Sequence, residues 1–471
     1  MKNTTYFLVA IILVYSFSPI SAMGQSMPHS FTANTAAKAS EVNENFTYLL
    51  ERFGTRKTTV NCNNAESITT ALKNYNHIVI SGICTENLSL DATTLPHRLV
   101  ILEGSSSSSD GISASDNSKA VIEIFNGGIT LKATNLQFKN GTYGILAYRG
   151  ATVVVESLII KDNTLEGIFI GGTTYANIKN STVQNNGSQG IGVYHTSMIS
   201  VTNSTISGHN SGSSISIVNN SSAYIKDSTI QNGNPSGIEV RRTSAAEIVN
   251  TTIQSAVNGI TVKDSASVKL DGNTIRNNSE NGLELNNNSS VALYNDNSIT
   301  GNTGYGIRLS SSSSLNSYCN NATSNTTTIS GNNGYAIRLE LNSSSSFCNA
   351  AINSPKGGVY IIRGGDLSLK NSTITNSTLR GIATEGGIIT LEDSTISGSS
   401  DPEIVAYFSH LVLDNTSISG TSGNTEIKLS KGSTLWLEHG SSVTGTIQCD
   451  GSVGNNKAVD NGSIIVTSSG C

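Results

Sequence analysis

One short motif recurs along most of this chain at a nearly constant spacing. It is NSTISG at residue 203, DSTIQN at residue 227 and NSTITN at residue 371, and its apolar residue returns every 22 to 24 residues apart from one step of 30. A constant period of this length is typical of a solenoid, in which each repeat forms one coil and equivalent residues stack. The stacking positions are Phe138, Ile160, Val183, Ile206, Ile230, Ile253, Ile275, Ile299, Ile329, Ile352, Ile374, Ile396 and Ile418.

Apolar and polar residues alternate between the motifs, as in GIEVRRTSAAEIVNTTI from Gly237. Alternation with Ile and Val at the apolar positions predicts short strands separated by Asn and Gly turns. A Gly-Ile type pair keeps the same spacing as the motif. A leucine-rich repeat has a similar period, but it needs Leu at fixed positions where this chain has Ile and Val. The sequence therefore predicts an all-β, single-stranded parallel β-helix with about three strands per coil.

The residue two places after each stacking position is usually Asn or Gly. Both tolerate a positive φ at low cost, so this column predicts a left-handed turn in every coil. Asn amides one strand spacing apart are also expected to hydrogen-bond along the column. The same pattern generates the many Asn-x-Ser/Thr triplets, which we interpret as turns and not as glycosylation sites. The column consists of Asn140, Asp162, Asn185, Gly208, Asn232, Ser255, Asn277, Gly301, Gly331, Asn376, Gly398 and Gly420.

Six cysteines are spaced in a way that fits the coil period. Two pairs are 22 residues apart, and the third pair is 29 residues apart across the one long repeat. One coil corresponds to about 4.8 Å along the axis, which lies within the Cα separation of a disulfide. The predicted disulfides between neighbouring coils are Cys62 with Cys84, Cys319 with Cys348, and Cys449 with Cys471.

The chain is predicted to have three parts. Residues 1–24 are predicted to be a signal peptide, because Lys2 precedes the apolar run YFLVAIILVYSF and small residues precede Gln25. Residues 25–57 are predicted to contain an amphipathic helix that ends at Gly54, and ESITTALKNY predicts a second short helix; one of them is expected to cover the first coil. Residues 58–471 are the predicted β-helix. No later segment is apolar enough to cross a bilayer, so we expect a secreted, periplasmic or cell-surface protein.

Charge and composition exclude several kinds of function. The net charge is -5 and the pI is near 5.8, and Lys and Arg do not cluster, whereas a nucleic-acid groove needs clustered cations. The seven histidines have no spacing typical of metal ligands, so we expect no metal site and no cofactor.

From about residue 60 onward the chain resembles the right-handed parallel β-helix proteins of the pectin-lyase-like fold class. The resemblance lies in the Gly-Ile pairs, the NSTI turn and the opening segment SITTALKNYNHIVISGICTENLSL. It implies a right-handed coil, and it is compatible with lyases, glycoside hydrolases, epimerases and adhesins. A second segment, FTANTAAKASEVNENFTYLL, is similar to a short module of bacterial surface and phage tail proteins. The matching residues are Ala39, Ser40, Val42, Asn43, Asn45 and Phe46, whereas Asn34 replaces the usual Gly.

In the enzymes of this fold class, the substrate lies along the outward face of one sheet. The corresponding positions follow each Gly-Ile pair, and their charged and aromatic members cluster in the middle coils. The candidate substrate-binding residues are Tyr194, His195, Glu239, Arg241, Arg242, Lys263, Arg308 and Arg338, and the candidate catalytic residues are Arg241, Lys263, Glu239 and Glu284.

These residues allow two kinds of chemistry, and neither is specified by a complete motif. A polysaccharide lyase needs a cation beside the uronate carboxylate and a base, which Arg241 and Lys263 could supply. An inverting hydrolase needs two carboxylates roughly 6.5 to 9.5 Å apart, and Glu239 and Glu284 are predicted to lie about 9.6 Å apart. The NTD, GHG and RIK motifs of polygalacturonase-like enzymes are absent, because SGHN at His209 falls in the turn column and EHG at His439 lies near the end.

Two functions therefore stay open at the level of sequence. The first is a non-catalytic exported rod that presents a side face to a polysaccharide or a cell-surface partner. The second is a polysaccharide lyase, glycoside hydrolase or epimerase that uses the middle-coil face. A third interpretation of the charges is purely structural, with Glu239 paired to Arg241 or Lys263 across coils so that the rod stays soluble.

Overall fold

The structure is a computed structural model that describes residues 55–209, 211–318, 326–375, 377–420 and 425–450, together with the backbone of 457–460 and 464–469. The predicted signal peptide and the amphipathic helix before Gly54 lie outside the described residues. None of the described helices is long and apolar enough to cross a membrane.

Strands dominate the described chain, and all of their pairings are parallel. One sheet, sheet I, contains 18 strands, one from each coil. Its strands are Lys57–Asn61, His77–Ser81, Leu99–Gly104, Thr130–Thr134, Thr152–Glu156, Tyr175–Lys179, Met198–Thr202, Ser222–Lys226, Ala245–Val249, Ser267–Asp271, Ser290–Tyr294, Ser314–Ser317, Ser344–Cys348, Asp366–Lys370, Ile388–Glu392, His410–Asp414, Thr434–Glu438 and Lys457–Asp460.

A second sheet, sheet II, contains 32 strands of two kinds. The ladder strands contain the recurring apolar residue and are Ile83–Thr85, Gly111–Ser113, Gln137–Lys139, Ile159–Lys161, Thr182–Gln184, Thr205–Ser207, Thr229–Gln231, Thr252–Gln254, Thr274–Arg276, Ser298–Thr300, Thr327–Ser330, Ala350–Asn353, Thr373–Thr375, Thr395–Ser397 and Ser417–Ser419. The Gly-Ile strands are Leu88–Asp91, Ile122–Phe125, Ile145–Tyr148, Ile168–Gly171, Ile191–Tyr194, Ile215–Val218, Ser236–Arg241, Asn258–Lys263, Leu283–Asn286, Ile307–Leu309, Tyr335–Glu340, Gly357–Ile362, Arg380–Glu385, Ile404–Tyr407 and Thr425–Ser430.

The last long strand of sheet II, Ser442–Cys449, joins the two kinds of strand. It pairs with the ladder strand Ser417–Ser419, with the Gly-Ile strand Thr425–Ser430 and with the final strand Ile464–Ser469. Hydrogen bonding therefore divides each coil between two sheets, and the predicted three strands per coil are not confirmed in that form. The all-β parallel solenoid is confirmed.

The predicted stacking of the recurring apolar residue is confirmed throughout. Ile206 pairs with Val183 below and with Ile230 above, and the unbroken column runs from Phe138 to Ile418. Ile299 pairs with Ile329 across the long repeat, so its extra residues do not shift the register. All of these side chains are buried, and they form one continuous apolar core along the rod.

The predicted left-handed turn is confirmed at ten of the twelve column positions. For example, Asn185 has φ 53° and Gly208 has φ 71°. Gly420 is the exception, because its φ lies outside the left-handed region, and Asn376 lies outside the described residues. The Asn of NST motifs is also left-handed, with φ 50° at Asn203. This geometry supports the interpretation of these triplets as turns.

The stacked asparagines belong to a different column from the predicted one. They are the third residue after the stacking position, where the side chain points inward and is buried. Asn302 donates its amide N–H to Oδ1 of Asn332 at 2.9 Å, and its own Oδ1 accepts the amide N–H of Asn278 at 2.9 Å. A second such pair joins Asn163 to Asn186. The prediction was wrong in its position because the left-handed residue is at the surface and only the next residue turns into the core.

This asparagine ladder explains the glycine of the Gly-Ile pairs. A Cβ atom added to Gly282 would lie 2.6 Å from Cγ2 of Ile299 and 2.8 Å from Nδ2 of Asn302. Both distances are too short for carbon contacts, so any larger residue would push against the ladder. The Gly-Ile pair and the NST-type motif therefore recur together because their residues pack against one another.

A second polar ladder runs through the Ser of the NST motif. The backbone N–H of Ser181 donates to Oγ of Ser204 at 3.1 Å, and the backbone N–H of Ser204 donates to Oγ of Ser228 at 3.2 Å. Each hydroxyl is buried and donates to a backbone carbonyl two residues earlier, as Ser204 does to Thr202. The small hydroxyl residue therefore satisfies backbone groups that the turn leaves unpaired.

The first coils are joined by a disulfide and covered by a short helix. Cys62 and Cys84 form the predicted disulfide with a Cα separation of 4.7 Å. The 3-10 helix Cys62–Asn64 and the α-helix Ile68–Ala71 follow, and Ile68 is fully buried in the core. Cys348 and Cys449 are also disulfide-bonded. Their predicted partners, Cys319 and Cys471, lie outside the described residues, so these two pairings stay predictions.

The asparagine ladder should contribute measurable stability. Replacing Asn302 with Ala removes hydrogen bonds to the coils on both sides and leaves buried groups unpaired, so we expect a loss of about 2 to 4 kcal/mol in the free energy of unfolding. Asn333→Ala is the matched control, because Asn333 is exposed in the neighbouring coil. Equal midpoints for the two variants in urea unfolding would contradict the ladder's role.

His209 interrupts the asparagine ladder. It occupies the position that Asn186 has in the preceding coil and is 2% exposed. Within the described residues neither ring nitrogen has a hydrogen-bond partner. Burial lowers the pKa of His209 to about 4, against the opposing effect of the nearby backbone of Asn186 and Val183. The neutral ring is therefore the form that fits the core.

This histidine should make the rod acid-sensitive. Because the folded-state pKa lies below the unfolded value of 6.5, its contribution to stability is complete above that value and is lost as the pH falls towards the folded pKa. Between about pH 7 and pH 5 we expect a loss of roughly 2 kcal/mol. His209→Asn, which restores the ladder residue, should reduce that loss in denaturant unfolding at the two pH values. An unchanged pH dependence would show that His209 is not the titrating group.

Candidate functional site

The parallel register brings the predicted outward residues into two adjacent columns of sheet II. In one column Glu239 pairs with Thr261, Thr261 with Glu284, and Glu284 with Arg308. In the other column Arg241 pairs with Lys263. We call this surface the charged face; its residues are Glu239, Arg241, Lys263, Glu284, Arg308, Arg338 and Glu340. Glu340, at the end of the Gly-Ile strand Tyr335–Glu340, was not among the candidate site residues.

Glu239 is at the centre of the first ion-pair cluster. Its Oε1 lies 2.6 Å from Nζ of Lys263, and its Oε2 lies 3.7 Å from Nε of Arg241. The hydroxyl of Ser216 donates to the same Oε2 at 3.4 Å. The glutamate side chain is 10% exposed and both cations are 31% exposed. The expected pairing across coils is thus present, in a partly desolvated position.

A second cluster is centred on Arg308. Its two terminal nitrogens lie 3.2 Å from Oε1 of Glu284 in the preceding coil and 3.2 Å from Oε2 of Glu340 in the following coil. Arg338 pairs with Glu340 as well, and it also donates to the hydroxyl of Tyr305. One guanidinium therefore joins three coils.

Aromatic side chains lie at both ends of the charged face. At one end Phe169 stacks on Tyr194 with a centroid distance of 4.9 Å, and Tyr143 contacts Phe169 edge-on. At the other end Tyr335 stacks on Tyr360 at 5.2 Å. Stacked rings of this kind present flat apolar surfaces beside the charges.

His195 and Arg242 do not belong to the charged face. Both have positive φ and lie in the left-handed turn that follows the Gly-Ile strand. Nδ1 of His195 is 3.4 Å from the amide nitrogen of Asn219, and Arg242 donates to Oδ1 of the same residue at 3.5 Å. Adjacent sequence positions were grouped together, but the turn separates them.

The candidate catalytic groups pair with one another. Glu239 contacts both Lys263 and Arg241, and Glu284 contacts Arg308. Their catalytic roles stay predictions. Burial and the nearby Glu166 raise the pKa of Tyr194 to about 12, so its phenol stays protonated.

Several ionisable groups were missed by the sequence analysis, and two of them replace the glycine of the Gly-Ile pair. Burial raises the pKa of Glu166, which lies beside the aromatic end with Tyr143 and Tyr194. Glu403 and Glu426 occupy positions where other coils have the glycine of the Gly-Ile pair, and burial raises the pKa of both. The replacement of the repeat's glycine by glutamate was the sequence signal that could have revealed Glu403 and Glu426. At the surface, Asp414, Glu438 and His439 place ligand atoms within 4.8 Å of one another.

Comparison with known proteins agrees with this architecture. The family model described as a right-handed beta helix region matches residues 166–327. The A-module of the mannuronan C-5 epimerase AlgE4 of Azotobacter vinelandii is similar over 66% of this chain and 91% of its own, with 14% identity and a TM-score of 0.36. The catalytic domain of a GH87 alpha-1,3-glucanase in complex with nigerose is similar over 76% of this chain and 66% of its own, with 14% identity and a TM-score of 0.38.

A third solved structure, the periplasmic alginate epimerase AlgG, is similar over 90% of this chain and 89% of its own, with 11% identity and a TM-score of 0.36. No curated protein matches the chain significantly by sequence. The resemblance inferred from sequence is supported over residues 166–327, which match a right-handed beta helix region.

The partly buried ion pair of the charged face should be more strongly coupled than an exposed one. In a double-mutant cycle with Glu239→Gln and Lys263→Met we expect a coupling of roughly 1 to 2 kcal/mol, because the carboxylate is largely desolvated. Lys370 and Glu392 on sheet I form the control pair, since both are more than 40% exposed, and their coupling should be about 0.5 kcal/mol or less. Equal coupling energies for the two pairs would show that the partial burial of Glu239 does not strengthen its ion pair.

Proposed function

We propose that this protein is an exported, non-catalytic rod whose charged face binds a polysaccharide along the rod axis. The observation that supports this most directly is the mutual neutralisation of the candidate catalytic groups. Glu239 is held by Lys263, and Glu284 is held by Arg308, so neither carboxylate is arranged as an acid or as a free nucleophile. The face is instead a rigid row of hydrogen-bonding groups between two aromatic ends.

The net charge of the charged face favours the binding of an acidic polysaccharide. Four cations and three carboxylates give the charged face a net charge of +1, although the whole chain has a net charge of -5. Guanidinium groups such as those of Arg308 and Arg338 match carboxylate geometry in two-point contacts. A uronate-containing chain could exchange its own carboxylates for the internal ones. The export proposal rests on the predicted signal peptide and on the disulfide between Cys62 and Cys84, which is typical of oxidising compartments.

Binding to acidic polysaccharides tests this proposal. Alginate and polygalacturonate should bind the purified protein, and the affinity should fall with increasing salt. Arg308→Gln removes one cation and leaves Glu284 without its ion-pair partner, so we expect roughly a tenfold loss of affinity. Lys370→Gln on sheet I is the control of equal charge change and should bind as the unmodified protein does.

Incubation with the same polysaccharides separates binding from catalysis. A non-catalytic rod should produce neither new reducing ends, nor an unsaturated uronate, nor a change in epimer composition. Any of these products, lost in Lys263→Ala or Arg241→Ala, would establish the enzymatic alternative. Absence of retention on every glycan and cell-surface preparation would contradict the binding proposal itself.

A further inference from the structure

A second concave surface lies on the outer face of sheet I. It is a shallow groove with a volume of about 500 Å³, and its floor consists of small side chains from four successive coils. We call it the serine–alanine groove; its lining residues are Ser222, Ala223, Ala245, Ala246, Glu247, Ser267, Val268, Lys269, Ser290, Val291, Ala292, Asn316 and Tyr318. None of them belongs to the charged face, which is formed by sheet II.

The groove exists because one outward column of sheet I has only small residues. Ser222, Ala245, Ser267 and Ser290 pair in register, and no large side chain covers the sheet between them. At one end this column begins after the exposed Met198 of the preceding coil, which pairs with Ser222. At the other end it continues through Ser314 and Ser344, and Tyr318 lines the groove there.

Aromatic rings border this floor. Tyr294 and Tyr318 stack with a centroid distance of 4.8 Å and an angle of 12°, so their faces are nearly parallel. Tyr318 is 51% exposed and Tyr224, in the first coil of the groove, is 37% exposed. Exposed, pre-stacked rings with polar hydroxyls are suited to a ligand that has both apolar C–H faces and hydroxyl groups.

The charges within the groove cancel. Glu247 and Lys269 are its two charged lining residues, and Oε1 of the former lies 2.8 Å from Nζ of the latter. The Lys269 ammonium also lies 4.8 Å from the ring centroid of Tyr294, which fixes it beside the aromatic wall. Carboxylate, ammonium and the Asn316 amide together offer donors and acceptors without a net charge. This complementarity favours a neutral ligand and disfavours an anionic one.

We propose that the serine–alanine groove binds a neutral oligosaccharide chain that lies along the rod axis. Its sugar rings pack on Tyr318 and Tyr224, and its hydroxyls pair with Glu247, Lys269 and Asn316. This site is distinct in position and in ligand charge from the acidic-polysaccharide face, so the two proposals are independent. A rod with both sites would contact two kinds of glycan on two of its sides.

Calorimetric titration with hexasaccharides of neutral glucans, mannans and chitin tests the groove. At least one of these should bind, and Tyr318→Ala should lower its affinity roughly tenfold by removing one stacking surface. Ala245→Gln, which fills the floor without adding charge, should also abolish binding. Tyr175→Ala is the control, because Tyr175 is an exposed tyrosine (38%) on the same sheet outside the groove.

The outcomes distinguish this inference from the proposed function. Arg308→Gln should leave neutral-oligosaccharide binding unchanged, and Tyr318→Ala should leave acidic-polysaccharide binding unchanged. The inference is wrong if no neutral hexasaccharide binds, or if Tyr318→Ala and Tyr175→Ala have equal effects. Thermal unfolding of each variant confirms that the fold is retained.

Discussion

The structure depends on parallel backbone hydrogen bonding between equivalent residues of successive coils. Pairings such as Ile206 with Ile230 keep one register from the first coils to the last, so every sequence column becomes a file of side chains about 4.8 Å apart. A buried polar residue in such a file therefore has its own counterparts in the neighbouring coils within hydrogen-bond distance. The asparagine and serine ladders are therefore possible only if the same turn is repeated, which explains why the NST motif recurs so often.

The same constraint organises the outside of the rod. Outward side chains are also neighbours at strand spacing, so opposite charges in adjacent coils pair as cross-strand neighbours do in any sheet. Arg308 shows the limit of this arrangement, since it contacts carboxylates in the coils on both sides. The pairs hold their own side chains in place along several coils. This extended arrangement is the basis of our proposal that the charged face binds a polymer that lies along the rod.

Features of the fold that follow from the residue type at a single repeated position were predictable from sequence. The stacking of Ile206, the left-handed turn at Asn185 and the disulfide of Cys62 all follow from period and residue type. The inward or outward direction at a turn was not predictable, because Asn185 and Asn186 look alike in sequence and differ only in φ and burial. The sequence likewise did not show that His195 lies in the turn after Tyr194, and its predicted role in binding stays a prediction. The serine–alanine groove was missed because small residues give no signal until the openness of their sheet face is known.

The interior asparagine ladder and the charged face overlap in some coils and not in others. The asparagine file is interrupted between Asn186 and Asn278, where His209 is the first replacement. The Gly-Ile strands of those same coils contain Glu239 and Lys263. The second ion-pair cluster, with Glu284, Arg308 and Glu340, instead lies in the coils whose turns contain Asn278, Asn302 and Asn332. Through the interruption the serine ladder continues by way of Ser228. The backbone register therefore does not depend on the asparagines, and the outward residues of a coil vary independently of its interior turn.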